Sequence, residues 1–151
     1  EAIQLVADGI DELDMVINIG KLRSGDDQYV LDELRSVISA VAVPVKVILE
    51  THYLTNDQIQ RASAMCIEAG AKYIKTSTGW AKTGATMETV ELITSCTRGQ
   101  IGVKAAGGIR DLDTLVAMYK LGVRRFGINT RAAVEIVRSC EQLPGGSVRI
   151  A

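Results

Sequence analysis

Three lysines occupy positions where the strands of a compact protein usually carry apolar residues. Lys46, Lys75 and Lys104 each lie in a short, mostly apolar segment, and each follows the previous one by 29 residues. Burying a lysine without compensation is costly, so this placement favours either a function or a carboxylate partner. Two adjacent ammonium groups also disfavour each other's charge, which can leave one amine neutral and nucleophilic. The pattern therefore indicates carbonyl chemistry through a Schiff base, with an ion-paired or solvent-facing structural lysine as the alternative.

An acidic residue on a neighbouring segment could complete such a site. Asp14 and Asn18 interrupt the apolar segment 12–18 and, as alternate residues of a predicted strand, they share one face of it. A carboxylate there can move protons through ordered water, which predicts that role for Asp14. An ordinary ion pair of Asp14 with Lys46 or Lys104 explains the sequence equally well.

Glycine turns near the end of the chain indicate an anion site. Gly107-Gly108 and Gly127 each end a predicted strand just before a helix begins. Backbone without side chains at a helix start can cradle an anion, most often a phosphate. The candidate phosphate-binding residues here are Gly107, Gly108, Arg110, Gly127, Asn129 and Thr130.

The chain alternates predicted strands and helices throughout. Strands are predicted at 12–18, at 45–50, around Lys75, at 101–106 and at 123–128, and helices at 1–8, 29–41, 56–69, 87–97, 111–121 and 130–140. Residues 19–27 are predicted to form a loop and residues 144–151 a tail without regular structure. Alternation of this kind demands a parallel sheet covered by helices, either a (β/α)8 barrel or an open doubly wound sheet. No G-x-G-x-x-G motif opens a helix, which disfavours a dinucleotide-binding sheet.

The functional residues of a parallel α/β protein gather at the carboxyl ends of its strands. The spacing of 29 residues matches one βα unit, so the three lysines are expected at a similar height on successive strands. Asn18, Lys46 and Ser77 are expected to support the site there.

Composition limits the other possibilities. The 151 residues suffice for a single domain, 1–151, while a net charge of −1 and 4% aromatic residues argue against nucleic-acid binding. No apolar segment approaches the roughly 20 residues of a membrane-spanning helix, and no targeting segment is visible. The three cysteines each lie in a predicted helix without metal-ligand spacing, which predicts a reduced, cytoplasmic protein. The single histidine, His52, has no cysteine or second histidine near it in the sequence, which argues against a metal site.

Four segments resemble the deoxyribose-phosphate aldolase family. They are residues 12–20 (ELDMVINIG), 46–51 (KVILET), 73–79 (YIKTSTG) and 103–110 (VKAAGGIR). Their order and spacing fit over nearly the whole chain, and the last two segments together are highly specific to that family. The resemblance implies an α/β fold of the (β/α)8 TIM-barrel type. This chain would carry only about five βα units, strands four to eight, and lack about three amino-terminal units.

The resemblance also implies an activity. A class I aldolase of this family cleaves 2-deoxy-D-ribose 5-phosphate reversibly to D-glyceraldehyde 3-phosphate and acetaldehyde, without a metal or an organic cofactor. Lys75 would form the Schiff base, Lys104 would keep Lys75 deprotonated, and Asp14 would relay protons. Gly79 would hold the substrate phosphate together with the glycine turns.

Two departures from the family pattern leave alternatives. The missing units suggest that the chain is completed by an amino-terminal segment or assembles as a homo-oligomer, and a catalytically silent barrel remnant that folds against a partner is a second interpretation. The segment Ile128-Asn129-Thr130-Arg131 replaces the small-Ser-Ser turn usual in the family. A phosphosugar barrel enzyme of altered specificity is therefore a third interpretation.

Overall fold

A computed structural model of the chain describes residues 1–150, in which five parallel strands lie in chain order, β1-β2-β3-β4-β5. The strands are β1 (Leu13–Val16), β2 (Val45–Ile48), β3 (Tyr73–Lys75), β4 (Gly102–Ala106) and β5 (Arg125–Gly127). The helices are α1 (Ala2–Ala7), α2 (Ile19–Arg23), α3 (Asp27–Ser39), α4 (Asn56–Glu68), α5 (Met87–Thr97), α6 (Leu112–Lys120) and α7 (Thr130–Glu141). Single 3-10 turns occur at Thr51–Tyr53 and Pro144–Gly146. The predicted parallel α/β arrangement is confirmed.

The four helices after β2 begin where a polar side chain can cap them. In each, a side-chain oxygen accepts a hydrogen bond from a backbone N–H of the first turn, and the capping residues are Thr55, Thr86, Asp111 and Asn129. Such caps satisfy donors that a helix start leaves unpaired. Each cap fixes the residue at which the preceding strand-to-helix loop ends. These loops lie at the carboxyl end of the sheet.

Alternation along the strands divides the sheet into an apolar face and a charged face. Val47, Ile74 and Ala105 are fully buried and join the core formed with the helices, to which α3 and α4 contribute Leu34 and Ile59. The intervening residues face the other side, since side chains alternate along a strand. The charged residues on that side are Glu12, Asp14, Lys46, Lys75, Lys104 and Arg125.

The charged face is concave. Arg125 of β5 donates hydrogen bonds to Glu12, the residue adjoining β1, with Nη1 2.8 and 2.7 Å from the two carboxylate oxygens. These strands are the two edges of the sheet, and in a flat sheet they would lie about 19 Å apart. Contact between their side chains requires strong curvature toward the charged face, as in a segment of a barrel.

Two predictions of local structure are corrected. Residues 19–27 are not all loop, because Asn18 accepts a hydrogen bond from the Lys21 N–H at 3.1 Å and so caps the short helix α2. The tail predicted at 144–151 begins with the 3-10 turn Pro144–Gly146, and Ala151 lies outside the described residues. None of the helices in residues 1–150 combines the length and the apolar character needed to cross a membrane.

Candidate active site

Lys75 and Lys104 lie side by side on the concave face. They are register partners in the pairing of β3 with β4, and their side chains are 15% and 22% exposed. The Asp14 carboxylate reaches both lysines, with Oδ2 2.8 Å from Lys75 Nζ and 3.9 Å from Lys104 Nζ. The structure therefore brings together the three residues that the sequence nominates for catalysis.

Lys46 holds the other oxygen of Asp14 from deeper in the sheet. Its Nζ lies 2.7 Å from Asp14 Oδ1 and 3.0 Å from Glu12 Oε2, and its side chain is only 4% exposed. Lys46 pairs in register with Tyr73, two residues before Lys75, so the expectation of a similar height is met by Lys75 and Lys104 and is wrong for Lys46. A constant spacing in sequence does not fix the stagger between neighbouring barrel strands. The stagger turns Lys46 into a support for Asp14.

A second carboxylate, which sequence reasoning missed, anchors this support. Glu12 accepts hydrogen bonds from Arg125 as well as contacting Lys46, and the Arg125 guanidinium lies 4.9 Å from the centre of the Tyr73 ring. Hydrogen bonds from Arg125 and then from Lys46 lower the pKa of Glu12 to about 2. Glu12 stands two residues before Asp14, and this alternation could have placed its side chain on the same face as Asp14. Its partner Arg125 was not predictable without the curvature.

The same contacts set the charges of the site. Burial acts to raise the pKa of Asp14, but hydrogen bonds from Lys46 and Lys75 outweigh it and leave the pKa below its ordinary value. Burial lowers the pKa of Lys104, and the nearby cations Lys75 and Lys46 lower it further against the attraction of Asp14. Asp14 is therefore ionised at neutral pH, and Lys104 loses its proton more readily than an ordinary lysine.

A cavity of about 480 Å³ opens beside the two lysines, at the carboxyl ends of β3, β4 and β5. Six of the predicted phosphate-binding residues line it, namely Gly79, Gly107, Gly108, Arg110, Gly127 and Asn129. Thr130, the first residue of α7, is not part of this lining. Thr78, which sequence reasoning passed over although it stands between two nominated residues, lines the cavity as well.

The glycines of the cavity have different physical reasons to be glycine. Gly107 and Gly108 have φ values of 81° and 87°, in the left-handed region that side chains disfavour. Gly127 is required by packing, because a Cβ at this position would lie 2.8 Å from the Cβ of Ala106. In the predicted anion cradle, the backbone conformation therefore requires glycine in the turn after β4, whereas at Gly127 close packing requires it.

Several nominated polar groups already have partners inside the protein. Gly79 donates its N–H to Ser77 Oγ at 2.8 Å, and Ser77 itself is buried. Asn18 caps α2, while Asn129 accepts with Oδ1 from the Ala132 N–H at 2.9 Å and so caps α7. The amide nitrogen of Asn129 is the end of that side chain left to meet a ligand. Across residues 1–150, no group of three or more His, Cys, Asp or Glu side chains is arranged to hold a metal ion.

Comparison with known proteins finds similarity to aldolases. A family model described as DeoC/LacD family aldolase matches residues 1–125. The deoxyribose-phosphate aldolase of Rhizobium meliloti (strain 1021) is 49% identical over 152 residues, which cover 100% of this chain and 61% of that protein. The chain spans about three fifths of the length of the curated relatives it matches.

Solved structures agree on the fold. The aldolase designated QR15 superposes with a TM-score of 0.82 at 43% identity, over 91% of this chain and 62% of that one. The deoxyribose phosphate aldolase of Aeropyrum pernix, described as having a unique tetrameric structure, gives a TM-score of 0.77 at 29% identity, over 93% of this chain and 59% of that one. The five-stranded sheet thus corresponds to part of a TIM barrel, as its curvature indicates.

Proposed function

This chain belongs to the DeoC/LacD aldolase family, and on that premise we propose that its protein is a class I aldolase that cleaves 2-deoxy-D-ribose 5-phosphate to D-glyceraldehyde 3-phosphate and acetaldehyde. One observation carries the proposal. A single carboxylate, Asp14, lies 2.8 Å from Lys75 Nζ and 3.9 Å from Lys104 Nζ, and both lysines line a cavity that ends in a glycine turn suited to an anion. Amine, proton acceptor and second cation are what Schiff-base chemistry requires.

The proposed reaction begins on Lys75. Its ammonium gives a proton to water or to Asp14, and the neutral amine adds to the C1 aldehyde of the open-chain sugar. Loss of water leaves a protonated imine. Removal of the proton from the C3 hydroxyl then breaks the C2–C3 bond, releases glyceraldehyde 3-phosphate and sends the electron pair into the imine as an enamine. Protonation at C2 and hydrolysis release acetaldehyde and the free amine.

The roles within the proposed site follow from the contacts. Lys75 touches the proton acceptor directly, whereas Lys104 is 3.9 Å from it and supplies a second positive charge. Lys46 is buried and holds Asp14 in place, which suits a supporting role. The protein amine serves as the electron sink, so we propose no metal or organic cofactor.

The proposed phosphate position is the turn after β4 and the start of α7. Gly107, Gly108, Arg110 and Asn129 all line the cavity there. Their backbone N–H groups, guanidinium and side-chain amide are the donors that we propose for the phosphate. We further propose a homo-oligomer, which the tetrameric structure described for the Aeropyrum pernix relative supports. The alternative is completion by an amino-terminal segment, which the coverage of about three fifths of the relatives' length supports. The three free cysteines suit a reducing cytoplasm.

The test of the function uses the protein expressed from its complete reading frame. We expect it to release acetaldehyde and glyceraldehyde 3-phosphate from deoxyribose 5-phosphate, as measured with coupled dehydrogenases. A folded protein without turnover on this sugar would instead support a silent barrel remnant. Turnover of other phosphorylated aldehydes alone would support an enzyme of altered specificity.

Replacing Asn129 by Ser tests the phosphate position. We expect Asn129→Ser to lower KM for deoxyribose 5-phosphate by about tenfold, the effect of one well-placed donor to a charged ligand, because serine puts a rotatable hydroxyl where the family usually carries one in place of the asparagine amide. Serine can still cap α7, so the helix start should survive. Unphosphorylated deoxyribose should be almost unaffected, and the ratio of kcat/KM for the two sugars measures the change. Thr86→Ser, a like change at the cap of α5 outside the cavity, is the matched control. An unchanged ratio would remove residue 129 from the phosphate pocket.

A further inference from the structure

Glu50 has a backbone conformation that is unusual for its residue type. It follows β2 with φ 51° and ψ 61°, in the left-handed region, and only 5% of the residue is exposed. Among the described residues only Arg98, at the end of α5, is another non-glycine with positive φ. Such a conformation is strained and persists when surrounding contacts hold it, often at functional sites.

The Glu50 carboxylate is bound entirely to one residue of the loop after β3. Thr78 donates its N–H to the two carboxylate oxygens, at 3.3 and 3.2 Å, and its hydroxyl donates to Oε2. The Thr78 hydroxyl oxygen in turn accepts the Trp80 N–H at 3.2 Å. Because Thr78 and Gly79 line the cavity beside Lys75, the Glu50 carboxylate that binds Thr78 lies directly behind the cavity wall.

The rest of the loop is fastened at other points. On the β2 side, His52 Nδ1 lies 2.7 Å from Thr83 Oγ1 in an exposed contact. On the β4 side, the Ala85 N–H donates to the Ala106 and Gly107 carbonyl oxygens at 3.0 and 2.8 Å. Only the Glu50 contact is both charged and next to the cavity-lining residues.

We propose that Glu50 is a positioning residue for substrate binding. Its carboxylate fixes the Thr78 backbone and, through Thr78, the position of Gly79, a residue that lines the cavity and is predicted to contact the phosphate. The proposal rests on the aldolase function proposed above. The left-handed backbone and the two acceptor oxygens occur together, since Glu50 makes this turn at the end of β2 and its carboxylate binds Thr78 after the adjacent strand β3.

The deciding variant is Glu50→Gly, which removes the carboxylate and also relieves the backbone strain. Its fold should therefore survive, and we expect KM for deoxyribose 5-phosphate to rise about tenfold while kcat changes by less than threefold. KM for unphosphorylated deoxyribose should change much less. Thr78→Val should show the same pattern, and the double variant should be no worse than the more severe single one. Thr83→Val, which removes the exposed contact of the same loop, is the matched control and should change KM by less than twofold.

Amide hydrogen exchange gives a readout that does not need activity. In Glu50→Gly we expect the Thr78 amide to exchange at least tenfold faster, while amides of β4 stay unchanged. An active parent enzyme with unchanged KM in Glu50→Gly would overturn the inference, as would unchanged exchange at Thr78. Equal losses on both sugars would also overturn it, because they would indicate a general structural role. A parent enzyme inactive on deoxyribose 5-phosphate would defeat the proposed function, and the exchange measurement alone would then decide whether Glu50 holds the loop.

Discussion

Borohydride added with deoxyribose 5-phosphate or acetaldehyde is expected to reduce a Schiff base and leave a stable adduct on Lys75. The experiment applies to the protein made from its complete reading frame. Of the two lysines that line the cavity, Lys75 is the one in direct contact with the proton acceptor Asp14. Peptide mapping after reduction identifies the modified residue.

The corresponding variant, Lys75→Met, should form no adduct and should lose roughly 10⁴-fold or more in turnover, the scale expected when a nucleophile is removed. Methionine keeps most of the length of the side chain without the amine. Lys72→Met, an exposed lysine of the same segment that does not line this cavity, is the matched control and should retain the adduct.

Lys104 could form the Schiff base in place of Lys75, so mapping the adduct distinguishes the two lysines. Its pKa is lowered by burial and by neighbouring cations, and it lies farther than Lys75 from the Asp14 carboxylate. Both properties make Lys104 easier to deprotonate than an ordinary lysine, so its amine could compete for the aldehyde. Adduct found on Lys104, with Lys75 unmodified, would exchange the two proposed roles.

The adjacency of the two lysines could be predicted from the sequence because it depends on local rules. Alternation of strands and helices demands a parallel sheet, and a constant spacing of one βα unit puts residues on neighbouring strands. Lys75 and Lys104 obey this rule and are register partners. Lys46 shows the limit of the rule, since its height depends on a stagger that the spacing does not encode.

The contacts that were missed depend on long-range geometry. The pair of Glu12 with Arg125 joins residues 113 apart in sequence across the curled sheet. Neither residue carries a local mark of that contact. The Glu50 contact with Thr78 likewise requires a left-handed backbone at a glutamate, which no propensity rule anticipates. Helix α2 was missed for a simpler reason, because Gly20 obscured the capping ability of Asn18.

Replacing Lys104 by leucine is expected to cut turnover by about 10²-fold or more while leaving the fold intact. Folding lowers the pKa of Lys104, so the charged form of this residue opposes folding at neutral pH, and that cost diminishes as the pH rises through the lowered pKa. Leucine removes this cost and fills a similar volume. The thermal midpoint at neutral pH should therefore not fall.

The loss of turnover in Lys104→Leu should depend on pH. Leucine removes the positive charge that repels the Lys75 ammonium, so the pH–rate profile should move toward higher pH and activity should recover partly there. Lys104→Arg keeps a positive charge at the same position and should hold the profile near that of the parent. An unchanged optimum in the leucine variant would show that Lys104 does not act through its charge. A shift of equal size in the arginine variant would instead point to the amine of Lys104 itself as a proton donor or acceptor.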